Sequence, residues 1–390
     1  MNEKPVHIPL VASLFTTLFL IVLSFTVTSL ASPYIVSDLG GDRSITFYAL
    51  SFFGFGNVVT IPLAKPLGAK FGEEKIFVYC VLAFALGSLL CALAPTYFWF
   101  VAARFAAGMA SGPFYPLLAH YFSCLVPSHK RIIIAWVFVT MLVVVPVLGA
   151  CWGGTVAYLY NWRAVFFLNA AAGLPLSWII KTYLKDAEIG LLRPGFDWIG
   201  WGFYAVGICG IAFSLTMAQQ IDWYRSEAFN AALILGIVCF GYYLLRSFTH
   251  ESPPLALWMF SKPVFALAIL CLAVLFAVLY GMIILLAIWL TLDARFTPLW
   301  IAVLIGHMAI AGLFPRFIIE EKMGKIDPRI WIGLATALLA ISCFYTTTFD
   351  VLIDFQRIAL SRVIAGFGLA LYLPPDFPDF GAVPQARSLG

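Results

Sequence analysis

Two arginines stand inside apolar runs, and each is followed four residues later by glycine. Arg104 and Gly108 lie in ARFAAG, and Arg362 and Gly366 lie in SRVIAG. A charge within membrane core costs about 3 kcal/mol or more, so it needs a partner and a function that retains it. Arg104 sits about seven residues, or ~10 Å, from the outer end of its run. Snorkelling to the interface is one way to hold such a side chain. Its recurrence at Arg362 points instead to a shared task. His307 is the other titratable group well inside an apolar run. It is either a proton-binding group or a polar residue hydrogen-bonded across a helix contact. None of the 19 aspartates and glutamates lies deep in such a run, Asp197 coming nearest. Three partners are therefore open to Arg104: helix carbonyls, His307, or an anionic substrate.

The elements that must position these residues follow from composition. The chain has 390 residues, 63% hydrophobic and 11% charged, with mean hydropathy +0.98. Soluble domains carry about 25% charged residues. The apolar residues fall in runs of about 20, each long enough to cross a bilayer as a helix. We read an all-α polytopic membrane protein with twelve spans: 8–32, 45–64, 76–94, 97–121, 132–158, 164–183, 197–217, 229–248, 264–290, 299–315, 330–348 and 355–373. The first run is too long for a signal sequence and reads as an uncleaved helix. With the N-terminus in the cytoplasm, the inner segments hold 15 lysines and arginines and the outer loops five. That bias is the positive-inside pattern.

Other classes are disfavoured. The net charge of +4 is dispersed over short loops, so no nucleic-acid partner is expected. All eight cysteines lie in apolar runs without a CxxC, which argues against a disulfide or zinc framework. HExxH, GxSxG and P-loop patterns are missing, so neither an enzyme nor a cofactor or metal site is expected.

The two arginine motifs belong to a wider repeat. The loops two helices earlier, LGAKFGEEKIF and RFIIEEKMGKIDPRIW, are both short and basic with a Glu-Glu pair. Such repeats mark transporters built from two similar halves around a midplane site.

Four motifs carry a resemblance. KPLGAKFGEEK keeps Leu67, Lys70, Gly72 and Lys75 of a pattern close to G-x-L-A-D-R-x-G-R-K, with Lys65 at its first glycine and Ala69 at its aspartate. Arg104 and Gly108 match R-x-x-x-G in the fourth span. GACWGG keeps Gly149, Gly153 and Gly154 of G-P-x-x-G-G, with Ala150 for the proline and Pro146 one turn earlier as a source of a kink. NWRAVFFLN follows, and IDWYRS separates spans seven and eight. On these the chain resembles the major facilitator superfamily, in its fourteen-span drug:proton antiporter branch (the EmrB/QacA type), from about Val22 to Pro375.

The resemblance implies a major facilitator fold and export of hydrophobic or amphipathic small molecules by alternating access with proton coupling. It ties Arg104 to that coupling and makes the loop after span two a latch between halves. It implies a six-helix N-terminal half at 1–185, two inserted spans at 186–262, and a C-terminal half at 263–375. In bacteria with two membranes it implies an inner-membrane location beside a periplasmic adaptor and an outer-membrane channel. Two departures stand out. Ser24 holds a position that is usually acidic in the first span. After Leu373 the chain turns to PPDFPDFGAVPQARSLG, which makes 376–390 a tail unlike the family and leaves four helices in the second half. The alternative expectation is a truncated, non-transporting remnant.

Overall fold

The computed structural model describes residues 8–41, 45, 48–125, 128–184, 195–250, 252–323 and 328–371. The tail at 376–390 lies outside them, as do Lys4, Arg43, Lys185, Arg193 and Lys325 of the charge count. The side chains of Lys130, Arg131, Arg316 and Lys322 do too. The described residues form helices and turns without a strand. Eight of the helical segments are long and apolar enough to cross a membrane, and residues 144–159 and 298–313 form shorter apolar helices.

Each span read from the sequence has a helical counterpart, and two differ from a single rod. The second is α2 (Tyr48–Thr60), a 3-10 turn, and α3 (Ala64–Phe71). The basic segment expected as a turn is thus helical through Lys70. The chain reverses only at Gly72, whose φ of 92° suits glycine alone. The fourth span is broken into α5 (Tyr97–Ser111) and α6 (Phe114–Leu125). Pro113 has no N–H to give the Met109 carbonyl. That carbonyl instead accepts from Thr60 Oγ1 at 2.9 Å, so a tertiary contact satisfies what the proline removes.

The remaining first-half helices are α1 (Ile8–Asp38), α4 (Glu73–Ala92), α7 (Ser128–Leu159) and α8 (Arg163–Leu184). α1 packs along α7 and α8, α4 along α8 and α5, and α2 along α5. Small residues set these crossings. A Cβ on Gly149 would meet Leu23 O at 2.6 Å, and one on Gly154 would meet Leu30 Cβ at 2.7 Å. Gly153 meets Val27 in the same way, so α7 lies directly on the α1 backbone. Helix α7 continues through Pro146.

Helices α9 (Trp198–Met217) and α10 (Glu227–Thr249) pack on one another, and α9 also touches α2. Asp197 caps α9 through the Gly200 N–H at 2.9 Å. It also receives Arg246 Nε at 2.6 Å and Nη2 at 3.0 Å, a two-point fork from α10. Burial alone would raise this carboxyl, but the hydrogen bonds from Arg246 and Gly200 outweigh it and hold it below the ordinary carboxylate value.

The second half comprises α11 (Pro263–Leu292), α12 (Pro298–Met323), α13 (Pro328–Thr346) and α14 (Phe355–Leu371). α14 packs on α12 and α13, as α5 packs on α2 and α4. α7 packs against α12, and α1 touches α11. One core lies within the first half, and a second joins α7 to α11, α12 and α14.

Candidate functional site

Arg104 is fully buried at 0% exposure, so its side chain turns into the bundle and not toward an interface. Its Nη1 donates to Ser24 Oγ at 3.0 Å and its Nη2 to the Ser24 carbonyl at 2.9 Å. Longer contacts reach Phe25 O at 3.5 Å and, from Nε, Ala49 O at 3.4 Å. The guanidinium carbon lies 4.1 Å from the Phe53 ring centre. Carbonyl dipoles and a π-face thus replace a carboxylate. Of the three partners open from sequence, the helix carbonyls are the ones found. One side chain ties α1, α2 and α5 at a single point.

Gly108 explains how α5 comes close enough. A Cβ there would lie 2.9 Å from Phe53 C and 3.1 Å from its Cα. Ser111 Oγ donates to Asn57 Oδ1 at 3.1 Å one turn further on, closing the same interface.

Arg362 is 2% exposed. Its Nη2 donates to Thr346 Oγ1 at 2.7 Å and to Ser361 Oγ at 2.9 Å. Its Nε has no hydrogen-bond partner among the described residues. It borders a cavity of ≈ 330 Å³ whose lining includes Met282, Leu286, Trp289, Cys343 and Phe349. Gly366 repeats the part of Gly108: its Cβ would fall 2.7 Å from Ala311 Cβ and 3.0 Å from Gly312 N of α12. The repeat therefore preserves the arginine–glycine spacing and the helix crossing, while the arginine's partners differ.

The other expected site residues are dispersed. Ser24 is buried and serves as an acceptor for Arg104. His307 makes its hydrogen bond elsewhere, on α12. Its Nδ1 donates to its own helix at Val303 O, 2.7 Å away, and its ring meets Phe355 edge-on. Lys70 and Lys75 are exposed, and Leu67 packs on the first-half core.

One pair was not evident from sequence. Glu73, the first residue of α4, is 7% exposed, and neither carboxylate oxygen has a hydrogen-bond partner in the described structure. His120 Nε2 of α6 lies 3.6 Å from its Oε1. The residue falls in a charged loop motif, which reads as solvated. Its burial comes from tertiary packing, with α6 bringing His120 against it. The metal-ligand residues of the described chain form no cluster of three or more.

The Major Facilitator Superfamily model matches residues 14–378. The chain is 26% identical over 363 residues to the fatty acid resistance protein FarB of Neisseria gonorrhoeae, covering 93% of this chain and 72% of that one. It is 26% identical over 359 residues to the multidrug export protein EmrB of Escherichia coli (strain K12), covering 92% and 70%. Among solved structures it superposes on the peptide transporter POT in complex with sulfate with TM-score 0.66. That match has 17% identity and covers 95% of this chain and 82% of the other, a likeness of fold.

Proposed function

Since the chain belongs to the major facilitator superfamily and is a multi-pass membrane transporter, we propose that it exports hydrophobic or amphipathic small molecules by proton-coupled alternating access. The observation that carries this reading is the matched pair of buried arginines on α5 and α14. Each is followed by a glycine that seats its helix on a neighbour. Buried guanidinium groups are retained in a membrane bundle where charge takes part in the cycle. The multidrug export protein EmrB, similar along more than nine-tenths of the chain, supports the direction of transport.

In this reading Arg104 holds α1 against α2 and α5 while the substrate path is closed on that side. Five N–H donors on a rigid plane give it one preferred arrangement of acceptors. A shift of α1 against α2 exchanges those acceptors, giving the contact two discrete states. Arg362, with Nε unpaired beside an apolar cavity, is the group in the second half that meets substrate. The N-terminus is cytoplasmic. In a bacterium with two membranes the chain lies in the inner one and passes substrate to a periplasmic adaptor and an outer-membrane channel. The test is efflux of a fluorescent lipophilic cation from cells expressing the chain, with and without a protonophore, beside Arg104→Ala. Efflux lost in both conditions supports the reading. Efflux indifferent to the protonophore and to the substitution refutes it.

A further inference from the structure

A transporter driven by protons needs a group that binds and releases one, and Arg104 stays charged at any physiological pH. We propose that Glu73 and His120 hold one proton between them, and that this shared proton is the one taken up and released in the transport cycle. This rests on the proton-coupled reading above.

The geometry is the argument. The Glu73 carboxylate is buried and accepts no hydrogen bond in the described structure, although its helix begins there with free N–H groups. A carboxylate left charged in that state is strongly disfavoured. The partner placed to relieve it is the His120 imidazole at 3.6 Å, close enough for a small side-chain movement to make a hydrogen bond. With one proton present, the pair is either imidazolium with carboxylate or imidazole with carboxylic acid. Both forms are neutral overall. Loss of the proton to water leaves imidazole and one negative charge on a buried group without a donor. That state is relieved by moving the start of α4 into water.

The surroundings permit such a movement. Gly72 joins α3 to α4 at a φ of 92°, held by its N–H to Gly68 O at 2.9 Å and by its carbonyl from Ile76 N at 3.2 Å, so the start of α4 moves by exchanging those two bonds. The other charges near this end are few. α3 brings Lys65, an electrostatic neighbour of His120, and exposed Lys70. α4 itself carries Glu74 and exposed Lys75. α8 meets Val81 and Ala85 of α4 at Gly173, which places exposed Lys181 at the same end. α5 carries Arg104 toward the opposite end of α4. Lys70, Lys75 and Lys181 face water, so their influence is screened, while Lys65 disfavours the charged form of His120 and favours the form with the proton on Glu73.

The experiment is a titration of the histidine signals of the purified protein in detergent by nuclear magnetic resonance. The chain has five histidines, and His120→Gln identifies the signal of interest. Glu73→Gln is expected to move the His120 midpoint to lower pH by about 1–3 pH units, with the other four signals unmoved. Glu73→Asp is expected to restore much of the shift. An unchanged midpoint in Glu73→Gln overturns the proposal. The wild type gives a second check that needs no variant to fold. A carboxyl band in infrared spectra must titrate in the same step as His120, and a histidine titrating alone overturns the pair. In proteoliposomes, Glu73→Gln should exchange ethidium between equal pools yet lose accumulation driven by a pH gradient. A wild type that ignores the gradient sinks the coupling assignment and the proposed function together. A Glu73→Gln protein driven like the wild type sinks the pair alone.

Discussion

Gly108→Ala adds one methyl group at the point where α5 lies on α2. The new Cβ would overlap the Phe53 carbonyl oxygen and sit 2.9 Å from its carbon, against 3.4–4 Å for ordinary contact. The obstacle is backbone, so no side chain can rotate away. The two helices must part by on the order of 1 Å, which costs about 1–3 kcal/mol as overpacking does elsewhere. Alanine's better helix propensity returns up to about 1 kcal/mol, so the steric cost wins. The same separation draws Arg104, one turn earlier, from Ser24 and Ala49, where its contacts now span 2.9 to 3.4 Å. Beyond about 3.5 Å they cease to be hydrogen bonds. Gly333→Ala is the control, since its Cβ would meet nothing within 4 Å. Thermal unfolding in detergent should rank Gly108→Ala below the wild type and Gly333→Ala at or above it. Efflux should fall with Gly108→Ala alone. If Gly108→Ala unfolds with the wild type, the helices are not in backbone contact and the reasoning fails.

Ser24→Asp places a carboxylate where the hydroxyl now accepts from Arg104 at 3.0 Å, so everted vesicles should show efflux with a new dependence on pH; an unchanged profile would mean that Arg104 and residue 24 do not meet. His307→Ala should leave efflux intact, because the ring bonds its own helix at Val303 O and meets Phe355; loss of efflux would make it a coupling group after all. Asp197→Asn should lower the unfolding temperature by loosening α9 from α10. Because the Asp197 carboxyl is held below its ordinary value, its contribution is present above the unfolded value of about 3.9 and lost as pH falls through the folded one. The difference between Asp197→Asn and wild type should therefore be constant from neutral pH down to mild acid and vanish in strong acid.

Much of the architecture was legible without coordinates. Apolar runs of bilayer length admit only helices in lipid, since each backbone group must be satisfied within its own segment. The arginine–glycine spacing was legible as well, because it is local and recurs. Which helices these glycines meet, α2 for Gly108, α12 for Gly366 and α1 for the glycines of GACWGG, came only with the packing.

The partners of those residues were decided only by the tertiary structure. Arg104 is held mainly by carbonyl oxygens of α1 and α2, about 80 and 55 residues away, and a carbonyl has no signature in sequence. Glu73 reads as a solvated loop charge until tertiary packing buries it, with α6 bringing His120 against it. The fourth span reads as one run from sequence, and its break at Pro113, with Thr60 taking the freed carbonyl, came only with the structure. Sequence by itself determined which segments form apolar helices and where two helices can touch. Which polar groups then find one another depended on how the helices stack, because burial and hydrogen-bond distance arise between segments and not within them.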